Sequence, residues 1–142
     1  MDVPTAFGGD EAAAIAALRD AYAALNRGDV PGYMAIFDPQ IEWIESAEFS
    51  GGTTRGLAAV HAHVAHHRGS WAAGRCDAER VVAVGNRLIQ FVSVRVMLKG
   101  ETEWREGRLA EVYTFREGRV TQVRLFGDPQ EAVEWAARGA AA

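Results

Sequence analysis

The strongest constraint on this chain lies in its second half. Three turn signals, Gly85-Asn86, Lys99-Gly100-Glu101 and Glu117-Gly118, separate four runs rich in Val, Leu, Ile, Phe and Tyr. Short Gly-containing turns between such runs are hairpin connections. The runs predict strands over Asp77–Val84, Arg87–Leu98, Glu103–Phe115 and Arg119–Phe126. Four long strands joined by hairpins form an antiparallel meander, and its apolar face has to be covered by something else.

The first half supplies the cover. Residues 1–9 read as a loose leader ending in Gly8-Gly9, with Asp10 as an N-cap and Glu11 in the first turn of a helix. Ile15, Leu18, Tyr22 and Leu25 follow at helical spacing. Gly28 stops that helix, and Asp29 caps a short second one with Pro31 in its first turn. Tyr33, Ile36 and Phe37 form its apolar side. Asp38-Pro39 breaks the chain, and Gln40–Glu45 alternates as a strand with Ile41, Trp43 and Glu45 on one face. The glycines at 51, 52 and 56 make residues 46–56 a loop, and a third helix runs over Leu57–Arg68. After the meander, Asp128-Pro129 starts a terminal helix. The expected fold is α+β: a strongly curved antiparallel sheet wrapped around three N-terminal helices, with the domain over 10–138 and a tail over 139–142. A sheet curved in this way leaves a concave hollow suited to a small ligand.

Composition removes several functions. At 142 residues the chain suits one domain with a core of its own. A net charge of −4, with Lys99 the single lysine, argues against nucleic acid or an anionic membrane as partner. Cys76 is the only cysteine, so no internal disulfide forms and a reducing compartment is expected. No apolar run reaches membrane-spanning length, and no basic segment precedes an apolar stretch at the start, so a cytoplasmic location is expected. No P-loop, dinucleotide fingerprint or nucleophile elbow is present, and no cofactor is expected. His63 and His67 stand four residues apart on a helix, but the sequence shows no third ligand and no His-Glu-x-x-His pattern, so no metal is expected either.

Several segments together resemble the SnoaL-like domains of the NTF2-like superfamily. They are Tyr22-Ala-Ala-Leu-Asn-Arg-Gly-Asp29, Phe37-Asp-Pro, Ile41-Glu-Trp-Ile-Glu45, Gly51-Gly-Thr-Thr-Arg-Gly56 and Glu111-Val-Tyr-Thr-Phe-Arg-Glu-Gly-Arg-Val120. The resemblance covers roughly residues 10–138 and implies a cone-shaped fold around a pocket. The superfamily includes ketosteroid isomerases, limonene-epoxide hydrolase, scytalone dehydratase, polyketide cyclases and transport factors, so it implies no single chemistry. Matched to the ketosteroid isomerases, Glu111 takes the place of the second acid. The first-strand base falls on Trp43 and the helix-one tyrosine on Ala21, which argues against steroid isomerisation.

The residues themselves point to the same strand. Arg105, Leu109, Glu111, Tyr113 and Phe115 share one face by period two. A carboxylate between Leu109 and Tyr113 must be paired or neutralised, either by a partner such as Arg105 or as a raised-pKa acid. Glu45 shares a strand face with Trp43, and the third helix offers His61 beside Leu57, Val60 and Val64. Glu111, Glu45 and His61 are therefore the catalytic candidates for cofactor-free acid–base chemistry. Trp43, Tyr22, Phe37, Val60, Val64, Val94, Arg105, Tyr113 and Leu125 are the candidates for holding a small, mostly apolar molecule. On Arg87–Leu98, Ile89, Phe91, Ser93, Arg95 and Met97 face the convex side, with Ala110, Val112 and Thr114 beside them. That apolar surface predicts a homodimer through the convex sheet face.

Overall fold

The computed structural model describes residues 11–140; the leader and the expected Asp10 cap lie outside them. The elements in order are α1 (Glu11–Asn26), α2 (Val30–Met34), β1 (Phe37–Glu45), β2 (Thr53–Arg55), α3 (Leu57–Gly69), β3 (Trp71–Val84), β4 (Arg87–Leu98), β5 (Arg105–Arg116), β6 (Arg119–Phe126) and α4 (Pro129–Ala140). They form one six-stranded sheet in the order β2-β1-β6-β5-β4-β3.

The hairpin signals placed β3 to β6 correctly, and each neighbouring pair among them is antiparallel. β1 instead lies parallel to β6, a pairing that a long connection through a helix allows and a hairpin does not. β1 also starts at Phe37, before the Asp38-Pro39 pair. The register slips between Phe37 and Glu42, which is where a strand tolerates a proline. β2 was not visible in the glycine-rich loop: three residues hold it only by pairing with β1, as in Glu42↔Arg55.

β3 begins six residues earlier than its sequence suggests, because pairing with β4 overrides the weak strand preference of Ala72-Ala73-Gly74. Gly74 has φ 136, and a Cβ there would collide with the carbonyl oxygen of Arg95 and the Cα of Val96. Register slips between Trp71 and Ala73, between Ala78 and Arg80, and between Thr114 and Phe115 bend the strands around the helices.

The concave face packs on α1, α2 and α3. Leu18, Tyr22 and Leu25 of α1, Tyr33 and Met34 of α2, and Val60 and Val64 of α3 meet Ile41, Leu88, Val92, Tyr113, Phe115 and Val123 of the sheet. Asp29 caps α2 by accepting from the Gly32 N–H at 2.9 Å. The convex face is roofed within the subunit: Ala132 and Ala136 of α4 pack on Ile89, Ala110, Val112 and Phe126. Arg87 lies 3.9 Å over the Trp135 ring, and Arg80 lies 4.7 Å over Phe91. Much of the apolar surface behind the expected dimer is thus already covered by the chain's own last helix. Among the described residues, no helix is long and apolar enough to cross a membrane.

Candidate functional site

A cavity of about 370 Å³ opens between α3, the loop after β1 and the concave sheet. Leu25, Val64, Trp71, Val94, Leu109 and Leu125 supply its apolar wall, and Phe49 stands at it from the loop. Glu45, Ser50, His63, His67, Arg68 and Glu111 interrupt that wall with polar groups. A volume near the lower end of ordinary ligand sites, with few polar groups, suits a small apolar molecule. A larger groove of about 1000 Å³ crosses the outer ends of β3 to β5. Its charges already pair with each other or with a close neighbour, as Arg75–Asp77, Arg95–Glu106 and Arg108–Glu79, and it gathers no buried polar group.

Alternation along β1 puts Trp43 and Glu45 inward together. The Trp43 Nε1–H donates to Glu45 Oε2 at 2.9 Å, and Ser50 Oγ donates to Oε1 at 2.5 Å. His63 Nε2 also lies 2.8 Å from Oε2. Burial alone would push the Glu45 carboxyl up. The contacts with His63, Ser50 and Trp43 outweigh that and hold it down at about 2, so it is an anion. His67 stands one helical turn after His63, with the two ring centroids 4.5 Å apart. Burial, followed by the neighbouring imidazoles, lowers its pKa.

Glu111 has the opposite environment. It is buried on β5, and both of its protein donors fall on Oε1: Gln90 Nε2 at 3.0 Å and the Tyr113 hydroxyl at 2.9 Å. Tyr113 has one proton to give and spends it on Glu111. The Tyr33 hydroxyl, 2.8 Å from that of Tyr113, is therefore the donor in the other bond. Burial pushes the Glu111 carboxyl up, against the pull of Gln90, Tyr113 and the charge of Arg68. Its Oε2 is the oxygen left to carry a proton. Tyr22, Tyr33 and Tyr113 are all raised well above the usual phenol range, first by burial, and stay neutral donors. Among the described residues, the Tyr22 hydroxyl and Gln90 Oε1 are buried without a hydrogen-bond partner. Burial pushes the Cys76 thiol up to about 11, which makes it a poor nucleophile.

The structure brings Glu111, Glu45, Trp43, Val64, Val94 and Leu125 together at this cavity. Tyr22, Phe37, Val60 and Tyr113 lie in the core around it, with Phe37 5.1 Å from Tyr33. Two candidates fall elsewhere. His61 is exposed on α3, because the inward side of the helix carries buried Val60 and Val64 with half-buried His63 between them, and the expected anchor Leu57 is itself 37% exposed. Arg105 has the right strand parity but lies at the exposed start of β5. It pairs with Glu101 at 2.7 Å, not with Glu111. From the sequence His63 stands out only as a metal-ligand candidate, and Ser50, Gln90 and Tyr33 are not named among the site residues. The i, i+3, i+7 series from Val60 would have found His63 and His67; Ser50 sits in a loop with no periodicity to read.

The sequence signature of the SnoaL-like domain matches residues 18–123, which hold α2 to β5 entire and more than half of both α1 and β6. The chain belongs to the SnoaL-like domain family. No curated protein is significantly similar to this SnoaL-like chain in sequence. Solved structures share its fold. An NTF2-like protein of unknown function from Burkholderia pseudomallei has 24% identity and a TM-score of 0.73, over 85% of this chain and 95% of that one. TerC, co-crystallised with polyporic acid, has 22% identity and a TM-score of 0.71, over 87% and 97%. A protein with a ketosteroid isomerase-like fold from Catenulispora acidiphila, in complex with trimethylamine, has 13% identity and a TM-score of 0.68, over 80% and 83%.

Proposed function

We propose that this SnoaL-like domain binds a small, mostly apolar molecule in the cavity and moves a proton on it without a cofactor. The observation that carries this is one apolar cavity bordered by two carboxyl groups in opposite environments. Glu45 is hydrogen-bonded as an anion and holds an imidazole. Glu111 is buried, with its donors on one oxygen. Two titratable groups pushed apart in this way divide acid from base work. Glu111 is the acid or hydrogen-bond donor toward a ligand oxygen. His63, oriented by Glu45, is the proton acceptor. Trp43, Val64, Val94, Leu109 and Leu125 hold the apolar body of the ligand. Isomerase, cyclase, hydratase and epoxide-hydrolase reactions all fit this division of labour.

Polyporic acid, co-crystallised with TerC, is a reasonable first probe. Its binding is read by quenching of the emission of Trp43 and Trp71. Turnover is read by NMR, as exchange of a ligand C–H for deuterium across a panel of cyclic enones and quinones. Under this proposal Glu111→Gln and His63→Ala abolish exchange while the fold survives. A second function rests on the bonds from Gln90 and Tyr113 to Glu111: a carboxyl already engaged by the protein also suits a binding domain without turnover. In that case Glu111→Gln changes affinity alone, and no panel member exchanges with the parent protein.

A further inference from the structure

Glu45, His63 and His67 converge from two elements. One potential ligand atom from each lies within 4.8 Å of the other two. From this geometry we infer that these three side chains bind a divalent first-row transition ion, on a wall of the cavity described above. The inference goes beyond proton transfer and does not depend on it.

Three features support the site. The donor set of two imidazoles and one carboxylate matches the preference of Zn²⁺, Co²⁺, Fe²⁺ and Ni²⁺, and it leaves coordination positions open. The two histidines lie one turn apart on a single helix face, a rigid pair that strand β1 meets with the carboxylate. His63 Nε2 and Glu45 Oε2 are already 2.8 Å apart. Ligand bonds of 2.0–2.2 Å around a tetrahedral ion put neighbouring donors about 3.4 Å apart, between the 2.8 Å contact of His63 with Glu45, which would open, and the 4.8 Å that bounds the trio.

The carboxylate is also held from behind. Trp43 Nε1 and Ser50 Oγ donate to its two oxygens, as outer partners do around a bound metal. Because all three residues line the cavity, the open positions face the ligand space and accept an oxygen donor of the bound molecule. Loading the ion engages His63 and Glu45, so it replaces their role as proton acceptor with a Lewis-acid centre.

The test uses the full chain, stripped with a chelator and titrated with Co²⁺ alone while the visible ligand-field absorption is recorded. The expected result is one Co²⁺ per chain with intense bands of four- or five-coordination. His67→Ala, at an exposed position that tolerates truncation, should weaken binding about tenfold or more. Glu45→Gln should do the same, with circular dichroism confirming its fold. His66→Ala, on the same helix but outside the trio, should bind like the parent. The inference is overturned if no saturable absorption develops, if His67→Ala binds as tightly as the parent, or if His66→Ala weakens binding as much as His67→Ala does. No organic ligand enters this experiment, so its failure is distinct from a failure to find proton exchange.

Discussion

The two ends of the cavity use the same residue type for opposite purposes. At the α3 end Glu45 accepts from an indole N–H and a hydroxyl and touches an imidazole, so the anion is favoured despite burial. At the sheet end Glu111 has neutral donors, Gln90 and Tyr113, both on one oxygen, and desolvation wins. Both carboxylates are 7% exposed, but Glu111 is enclosed by protein on all sides and Glu45 only in part. Depth and donors therefore act together: desolvation dominates at Glu111, and the contacts from His63, Ser50 and Trp43 dominate at Glu45.

The sharpest way to break this contrast is to remove the anion. Glu45→Ala leaves the buried Trp43 N–H and the half-buried His63 without their acceptor. Losing a buried, charge-assisted acceptor costs about 3 kcal/mol. Urea unfolding should show the loss directly. A variant as stable as the parent would mean that the three bonds to Glu45 are replaced by water.

A smaller loss is expected from Tyr113→Phe. The ring stays, but Glu111 keeps Gln90 as its remaining side-chain donor, and the Tyr33 hydroxyl loses its acceptor in a fully buried place. One unsatisfied buried hydroxyl is worth about 1–2 kcal/mol. The same variant should push the Glu111 carboxyl higher still, because a donor that favours the anion has gone. Urea unfolding of the parent and the variant measures the first effect, and carboxylate NMR the second.

Glu111→Gln sharpens the contrast through pH. Its folded-state pKa lies above the ordinary 4.5, so folding takes up a proton between those values. Stability then falls as pH rises from about 4.5 toward the folded-state value, and the loss is absent below 4.5. Glutamine accepts the same two hydrogen bonds and does not titrate. The variant should be within about 1 kcal/mol of the parent in mild acid and gain on it as the pH approaches neutrality. Urea midpoints across that range give the two slopes, and parallel slopes would show that Glu111 is an anion in the folded state.

How much of this was legible in the sequence follows from which periodicities it carries. Period two placed Trp43 with Glu45 and Glu111 with Tyr113 on inward faces, and the hairpin turns bounded four strands. Parity says nothing about where along a strand the helices stop covering it. Arg105 therefore has the right face and the wrong environment, at the exposed start of β5 beyond the cavity. The parallel pairing of β1 with β6 leaves no local mark, since it joins segments far apart in the chain. Ser50 enters the site through tertiary packing alone.

The smallest expected effect concerns the helix that carries four histidines. Anchored on Leu57, the apolar stripe of α3 includes His61. Anchored on Val60, which is fully buried, it includes His63 and His67. The two stripes are offset by three residues, a net rotation of about 60° about the helix axis. It takes His61 from a cavity wall to solvent and brings His63 against Glu45. An exposed side chain away from caps and buried networks contributes within about 0.5 kcal/mol. His61→Ala should therefore leave the urea midpoint, Co²⁺ binding and ligand quenching unchanged, whereas His63→Ala should move all three. A loss of ligand binding in His61→Ala would put the stripe back on Leu57 and turn α3 by about 60° relative to the sheet.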